Sequence, residues 1–331
     1  MSVLCFYHSP CNDGAGSAIA LEHRLRRAGI VAHDHDLRLC PLNYTTEWDQ
    51  PLPPGYLENE IAPDRPVDTI YMVDITFSKV KFEQIVEHLK RLDRLAVECP
   101  RMICIDHHRS ALDREAELRE FCDETYIKMG SGLSGATLVW HYFNEILGED
   151  LPVPTLLQYI ADQDIWEWKL ECSREINAAL NVFEGHAEQI REELERSMAD
   201  EAEWRRLRLT EGHAIVEMVD SQVNKTAWQA IDIPAGRVTL RVLNSASFSS
   251  ELGNHLSNES DLAPNVIALI YSIQRDWDVR VSLRSISGGA VNAREFAERF
   301  GGGGHDNAAG CRFASFEEFR AAIDEVARTG L

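Results

Sequence analysis

Three short apolar runs in the first third of the chain each end in an acidic or imidazole side chain. Runs of this length predict buried strands, and the helical spacing of apolar residues between them predicts α-helices. Strands that alternate with helices indicate a parallel, doubly wound sheet, whose ligand crevice lies at the carboxyl ends of the strands. We therefore expect the side chains that end the runs to meet at one edge of the sheet. The runs are Val3–Tyr7 followed by His8, Thr69–Val73 followed by Asp74, and Arg101–Ile105 followed by Asp106.

Apolar spacing elsewhere in the first half of the chain predicts the connections between these strands. Gly29 ends the first predicted helix, and Ser78 is a good N-cap for the second. A Pro-rich stretch over 41–66 predicts a long loop, and charged residues interleaved with apolar ones over 184–223 predict long helices. The other predicted helices cover 16–27, 80–89, 111–121, 134–147 and 154–165, and an additional strand covers 30–33.

A different pattern begins near Arg237 and indicates a second, smaller α/β domain. Strands are predicted over 238–242, 266–273 and 279–283, and helices over 250–256, 293–300 and 316–328. The predicted fold class is α/β, with a parallel-sheet domain over 1–180, a helical linker over 181–235 and a second domain over 236–331. The length of 331 residues agrees with two domains.

Composition narrows the class of partner more than the class of fold. The net charge of −21 disfavours long nucleic acids, which are bound through many Lys and Arg contacts to phosphate. The eight cysteines form no Cys-x-x-Cys pair, which fits reduced thiols and argues against a zinc ribbon. No apolar stretch reaches transmembrane length, and the first residues lack a signal-peptide pattern. We therefore expect a soluble, cytoplasmic protein without membrane contact.

The side chains at the strand ends have the chemistry of metal ligands. They combine carboxylate and imidazole donors, a mixture that suits Mn²⁺ or Mg²⁺ better than structural zinc. They are too many for one ion, so we expect two ions, about 3.5–4 Å apart, that share a carboxylate and activate a water. Asp162 and Asp164 end the helix over 154–165 and either complete a metal shell or are solvated at a helix end. The strand-end candidates are His8, Asp13, Asp74, Asp106, His107 and His108.

A glycine run in the second domain is a candidate phosphate-binding segment. Backbone without Cβ approaches a phosphate closely and offers N–H donors. Arg284, at the end of a predicted strand, is placed to add a fork-shaped phosphate contact, and its alternative is an ordinary surface position. The candidate substrate-binding residues are Arg284, Gly302, Gly303, Gly304 and His305.

Taken together, the motifs resemble those of the DHH phosphoesterase superfamily, in the branch that carries a C-terminal DHHA1 domain. The resemblance covers essentially the whole chain and is specific as a set. It implies a phosphodiesterase with two divalent ions, usually Mn²⁺, with Mg²⁺ or Co²⁺ as alternatives, and an active site between the two domains. The motifs are His8–Gly14, Val73-Asp74, Asp106–His108, Asp162–Asp164 and Gly301–Gly310.

The resemblance also implies roles for the metal-site residues. His8 and Asp74 would hold one metal ion, and Asp74 would bridge to a second. His108 would face the scissile phosphate or the leaving oxygen, with Asp106 close to the metals. One departure is Cys11, which stands where many members have another Asp. A Cys11 thiolate would soften this site and shift its metal preference, whereas a neutral thiol would leave the metal with an extra water. We expect the neutral thiol, because an acidic neighbourhood raises the pKa of a thiol. The ligands implied for the second ion are Asp13, Asp74, His107 and one of Asp162 and Asp164.

The expected activity is hydrolysis of short RNA or DNA oligonucleotides to 5′-mononucleotides, including dinucleotides that are linear products of cyclic dinucleotides. The resemblance is nearest to nano-RNases, which act as oligoribonucleases or exonucleases on short substrates. Two alternatives remain open: hydrolysis of a small nucleotide such as cAMP, cGMP or 3′-phosphoadenosine 5′-phosphate, and nucleotide sensing without turnover. Base preference and oligomeric state also remain open, a homodimer being one arrangement that the sequence allows.

Overall fold

The computed structural model describes residues 2–43, 51–53, 55–61, 66–95, 100–258 and 263–331. The chain forms two compact units, Met1–Val216 and Glu217–Leu331. The boundary falls within the long helix Glu201–Ala227, inside the stretch of predicted long helices. In the part of the chain that is described, no helix is both long and apolar enough to cross a membrane.

The first unit is built on a parallel sheet of five strands in the order β2-β1-β3-β4-β5. The three strands predicted from the apolar runs are β1, β3 and β4, with the expected ends. From β1 the chain adds β2 on one side of the sheet and then β3, β4 and β5 on the other, so the strand order reverses between β1 and β3. In parallel α/β sheets, ligands bind in the crevice at such a switch point. The strands are β1 (Val3–His8), β2 (Leu37–Leu42), β3 (Thr69–Val73), β4 (Arg101–Asp106) and β5 (Glu124–Ile127).

Helices cover both faces of this sheet, so the first unit has two hydrophobic cores. Cys5 lies in the core with Leu21 and Phe143 on one face, whereas Phe6 lies with Ile85 on the other. Burial on both faces explains why β1 is continuously apolar rather than alternating. The helices are α1 (Asn12–Arg27), α2 (Tyr56–Glu60), α3 (Lys79–Arg91), α4 (Arg109–Asp113), α5 (Glu115–Leu118), α6 (Gly135–Leu147), α7 (Thr155–Asp164), α8 (Ser173–Asn181), α9 (Ala187–Ala199) and α10 (Glu201–Ala227).

Three local predictions in the first unit are wrong. Residues 30–33 are not a strand, because the amides of Ile30 and Val31 donate to Leu25 at the end of α1, and the next strand is β2. The helix predicted over 111–121 is interrupted at Arg114, where φ −106° and ψ 11° leave helical geometry, and it is replaced by α4 and α5. The loop predicted over 41–66 contains α2, and parts of it (44–50, 54 and 62–65) lie outside the described residues.

The second unit is built on a mixed sheet of six strands in the order β10-β11-β9-β8-β7-β6, in which only β7 and β8 pair in parallel. Sequence patterns predicted β7, β8 and β9 but not the other three strands. Those three carry Pro, Gly or charge in place of a β-branched run, which weakens any strand signal. The elements are β6 (Ile231–Ala235), β7 (Val238–Asn244), α11 (Ser249–Asn258), β8 (Val266–Ile273), β9 (Val279–Arg284), α12 (Ala293–Arg299), β10 (Gly303–His305), β11 (Ala308–Phe313) and α13 (Phe316–Thr329).

Candidate active site

The ends of β1, β3 and β4 bring their polar side chains together at the switch point. His8 Nδ1 lies 3.6 Å from Asp74 Oδ2, and His107 Nε2 lies 3.1 Å from Asp74 Oδ1. His108 Nδ1 lies 3.7 Å from Asp74 Oδ1. Asp74 is therefore the central carboxylate, in contact range of imidazoles from two other strand ends.

The backbone holds Asp74 in an unusual conformation at this centre. Its φ of 56° is in the left-handed region, which costs a non-glycine residue about 1–2 kcal/mol. The amide of Asp74 donates to the carbonyl of Ile105 at 3.0 Å, so the next strand fixes the turn. Burial alone would raise the pKa of Asp74, but hydrogen bonds from His107 and His8 hold it well below its usual range. The carboxylate is therefore ionised and ready to bind a cation.

Asp106 orients the histidine pair that follows it. Its Oδ1 accepts hydrogen bonds from the amides of His107 and His108, at 2.6 and 2.9 Å, and lies 2.8 Å from His108 Nδ1. Its Oδ2 is buried and has no hydrogen-bond partner among the described residues. Burial lowers the pKa of His108, but Asp106 and Asp74 raise it to about 9. The carboxylate thus fixes the ring and favours its charged form.

The His107 ring is surrounded by three carboxylates. Besides Asp74, its Nε2 lies 3.3 Å from Asp164 Oδ2 and 3.6 Å from Asp13 Oδ2. Burial lowers the pKa of His107, but the hydrogen bond to Asp74 and the charges of the carboxylates raise it to about 10. In the absence of a metal ion, the imidazolium of His107 supplies the positive charge that these acids need.

Asp13 is held by the N-terminus of α6, a contact that sequence reasoning missed. Ser134 Oγ donates to Asp13 Oδ1 at 2.5 Å, the Gly135 amide to Oδ2 at 2.7 Å and the Ala136 amide to Oδ1 at 3.1 Å. A Cβ on Gly135 would lie 2.6 Å from Asp74 Cβ and 2.9 Å from Asp13 Oδ2, so only glycine permits this approach. The pair Ser134-Gly135 at a predicted helix start was the available sequence signal, but its partner is 121 residues away in sequence.

The two acids at the end of α7 occupy different environments. Asp162 is 5% exposed, and its carboxylate accepts from the amides of Lys169 and Leu170 at 2.8 and 3.2 Å, which organises the turn that follows. Asp164 lies beside His107, and its side chain is 24% exposed. Burial and the charge of Asp74 raise the pKa of Asp164 despite opposing effects of the histidines. The position of Asp164 favours it over Asp162 as a metal ligand, and that assignment remains a prediction.

Cys11 joins this site from the start of α1, where it is the N-cap residue. One possible ligand atom from each of Cys11, His8 and Asp74 lies within 4.8 Å of the other two. Burial, followed by the charges of Asp74, Asp164 and Asp13, raises the pKa of the Cys11 thiol well above its usual value.

Two donor sets therefore adjoin at the switch point. The first donor set is His8, Cys11 and Asp74, and the second is Asp13, His107 and Asp164, each with its ligand atoms within 4.8 Å. Asp74 also groups with Asp106, His107 and His108 within the same limit. Burial and the charges of Asp74 and Asp164 raise the pKa of Asp13. The neighbouring histidine and hydrogen-bond donors therefore only partly compensate the negative charge of these carboxylates. A divalent cation would relieve that repulsion and engage the unpartnered oxygen of Asp106. The donors fit divalent metal ions.

Arg284 lies at the end of β9 in the second unit and is partly buried. Its Nη2 donates to Ser250 Oγ at 2.8 Å, and its Nη1 donates to the carbonyl of Leu283 at 2.9 Å and to Ser282 Oγ at 3.2 Å. Its Nε is buried without a hydrogen-bond partner among the described residues. Burial lowers the pKa of Arg284, which indicates that the neighbouring groups only partly compensate the buried positive charge of its guanidinium.

The glycine run is not an open loop of free amides. The amides of Gly301 and Gly302 donate to Glu298 at 3.2 Å and Ala297 at 2.8 Å, which caps the C-terminus of α12 in a Schellman arrangement. Gly301 has the positive φ of 74° that this cap requires. The Gly302 amide is therefore not available to a phosphate, contrary to the prediction.

The rest of the run forms an edge strand of the second sheet. Gly303 and Gly304 belong to β10, which pairs antiparallel with β11. A Cβ on Gly304 would lie 2.6 Å from the carbonyl of Ala308, so close strand packing also demands glycine there. The side chain of His305 lies outside the described part of the chain.

Residues 236–329 match the DHHA1 domain family. That match lies within the second unit, and the Asp106-His107-His108 triplet occupies a strand end in the first. The comparisons support a DHH-superfamily protein with a C-terminal DHHA1 domain. Its fold resembles that of exonuclease RecJ bound to manganese, with a TM-score of 0.50 and 16% identity over 99% of this chain and 90% of that one.

Two curated proteins resemble this chain in sequence. An uncharacterized protein, R106, of Acanthamoeba polyphaga mimivirus is 25% identical over 94% of the chain. Oligoribonuclease NrnB of Bacillus subtilis (strain 168) is 23% identical over 74% of it. The matches span 67% of the first relative's length and 59% of the second's.

Proposed function

We propose that this protein is a metal-dependent phosphodiesterase that hydrolyses short oligonucleotides, from dinucleotides to about five residues, to 5′-mononucleotides. The observation that carries the proposal is the pair of adjoining donor sets at the switch point. Together with Asp106 and His108, the two sets comprise four carboxylates and three histidines, which could hold two divalent ions beside a phosphate. The name of the relative NrnB, an oligoribonuclease, supports the choice of substrate.

The metal ligands divide between the two donor sets. His8 and Asp74 would hold one ion, Asp13, His107 and Asp164 would hold the other, and Asp74 would be shared. When bound, two such ions polarise the phosphate and lower the pKa of a shared water. Mn²⁺ suits these oxygen and nitrogen donors, as do Mg²⁺ and Co²⁺. Manganese is also the metal bound in the RecJ structure.

Substrate would approach from the side on which the cluster is exposed. The side chains of His8, His108 and Asp164 are each 24% exposed, whereas Asp74 and His107 are 1% and 3% exposed. The accessible imidazole of His108 is oriented by Asp106 through Nδ1. We assign to His108 the contact with the scissile phosphate or its leaving oxygen, where a charged imidazole can donate a hydrogen bond or a proton.

Charge restricts the substrate to short oligonucleotides. A net charge of −21 repels long polyanions, whereas the cations in the crevice would compensate one or two phosphates. In the second unit, the Arg284 guanidinium and the segment from Gly303 to His305 are our candidates for gripping a further phosphate.

A substrate panel tests the proposal. The metal-loaded protein would be assayed against a dinucleotide, longer RNA and DNA, cAMP, 3′-phosphoadenosine 5′-phosphate and pyrophosphate, each with Mn²⁺, Mg²⁺ and Co²⁺. We expect dinucleotides and short oligonucleotides to be hydrolysed fastest, with 5′-mononucleotides as products. Faster hydrolysis of cAMP or phosphoadenosine phosphate, or no turnover of any phosphodiester, would overturn the proposal.

A further inference from the structure

Cys11 introduces sulfur into one half of the metal site only. We propose that the Cys11 thiolate is a metal ligand of the first donor set, so that this half of the centre selects a softer divalent ion, such as Zn²⁺ or Co²⁺, than the second half. The inference rests on the metal site of the proposed function, but it concerns which ion each half selects and not which substrate is cleaved.

The geometry supports ligation because three different donor types converge. A sulfur of Cys11, an imidazole nitrogen of His8 and a carboxylate oxygen of Asp74 all lie within 4.8 Å of one another. Metal–ligand distances of about 2.0–2.3 Å for nitrogen, oxygen and sulfur allow one ion to reach all three. Among the described cysteines, only Cys11 belongs to such a group.

The backbone of Cys11 is held firmly by the loop before α9. A Cβ on Gly185 would lie 2.4 Å from the Cys11 nitrogen, so the two backbones are in direct contact. The neighbouring Asn12 donates through Nδ2 to Asn181 Oδ1 at 2.9 Å and accepts the Gly185 amide at 3.1 Å. These contacts place the thiol at the metal site without requiring the metal to order it.

The second donor set contains no sulfur. Asp13, His107 and Asp164 offer two carboxylates and one imidazole, which suit Mn²⁺ or Mg²⁺. Thiolate favours softer ions in the same series, and a coordinating thiol is deprotonated outright. The raised pKa of Cys11 therefore describes the metal-free protein. The ligands of the first donor set are therefore softer than those of the second, which predicts that the two sets bind different metal ions.

Cobalt titration of the metal-free full-length protein tests ligation without using catalysis. A thiolate ligand gives Co²⁺ a sulfur-to-metal charge-transfer band in the near ultraviolet. We expect one equivalent of Co²⁺ to develop this band in the wild-type protein and Cys11→Ser to abolish it. Cys172→Ser is a matched control, because Cys172 is likewise a half-buried N-cap residue but belongs to neither donor set.

Affinity measurements then test the predicted selectivity. Loss of an outer partner of a metal ligand typically costs about 10- to 100-fold in affinity, so loss of the ligand itself should cost at least about tenfold. We expect Cys11→Ser to weaken Zn²⁺ and Co²⁺ by that factor and Mn²⁺ much less. Cys11→Asp should shift the preference of this half toward Mn²⁺.

The outcomes separate this inference from the proposed function. Co²⁺ that binds to wild type and to Cys11→Ser with equal affinity and no charge-transfer band would overturn the inference and leave the metal site in place. Failure of the wild-type protein to bind any divalent ion would overturn both.

Discussion

The contact between Asp13 and the start of α6 makes a quantitative prediction for Ser134→Ala. The substitution removes the donor that lies 2.5 Å from Asp13 Oδ1, while the amides of Gly135 and Ala136 still donate. Both Ser134 and Asp13 are almost fully buried, so water cannot replace the hydroxyl. The variant should therefore lose the free energy that one buried hydrogen bond to a carboxyl group contributes to stability.

The magnitude depends on whether Asp13 is charged. A hydrogen bond to an ionised group contributes about 1.5–3 kcal/mol, and one between neutral groups about 0.5–1.5 kcal/mol. Burial and the neighbouring Asp74 and Asp164 raise the pKa of Asp13, so its ionised fraction in the metal-free protein increases with pH. The loss of stability in Ser134→Ala should therefore grow from the lower range to the upper range as pH rises.

Denaturant unfolding of the metal-free protein, at several pH values, measures this effect. Ser131→Ala is the matched control, because Ser131 is an exposed residue that bonds Glu167 and Lys169 at the surface. Such surface changes usually alter stability by less than about 0.5 kcal/mol. A Ser134→Ala variant as stable as Ser131→Ala throughout would refute the proposed anchoring of Asp13.

Three further predictions concern the ligands, the histidines and the second unit. Asp164→Asn should reduce the amount of bound metal, measured by elemental analysis. Asp162→Asn should instead lower thermal stability and keep the metal. Equal metal loss in the two variants would contradict the assignment of Asp164 as the ligand. Because the pKa values of His107 and His108 are raised to about 10 and 9, the metal-free protein should keep their stabilisation below about pH 6.5. That stabilisation should be lost as pH rises through 9 to 10, and a flat melting profile over this range would argue against it. Arg284→Ala should slow dinucleotide hydrolysis by about ten- to a hundredfold while the metal stays bound. This factor corresponds to the loss of one charged hydrogen bond, which contributes about 1.5–3 kcal/mol. Bis-p-nitrophenyl phosphate should be much less affected, and unchanged rates with both substrates would remove Arg284 from the site.

The strand ends could be predicted from sequence because their signals are local. Apolar runs ending in His8, Asp74 and Asp106 need only the rule that parallel strands share a carboxyl edge. The anchoring of Asp13 by Ser134 could not be predicted, because it depends on tertiary packing between α1 and α6.

The glycine run shows the opposite difficulty. Its composition suggested phosphate binding, but Gly301 and Gly302 cap α12 and Gly304 allows close strand pairing. Helix caps, tight strand packing and phosphate loops all require backbone without a side chain, so glycine alone cannot distinguish them. Likewise, Asp162 and Asp164 are chemically identical in sequence, and only the direction of each side chain separates a turn-forming acid from a neighbour of His107.

Hydrolysis of a dinucleotide in water labelled with heavy oxygen tests the central claim most directly. If residues of this cluster position water against the phosphorus, mass spectrometry should find one labelled oxygen in the 5′-phosphate of the released mononucleotide. The reaction should require a divalent metal and should be nearly abolished in a folded Asp74→Ala variant. Label in a 3′-phosphate, or undiminished turnover without metal or in Asp74→Ala, would contradict the account.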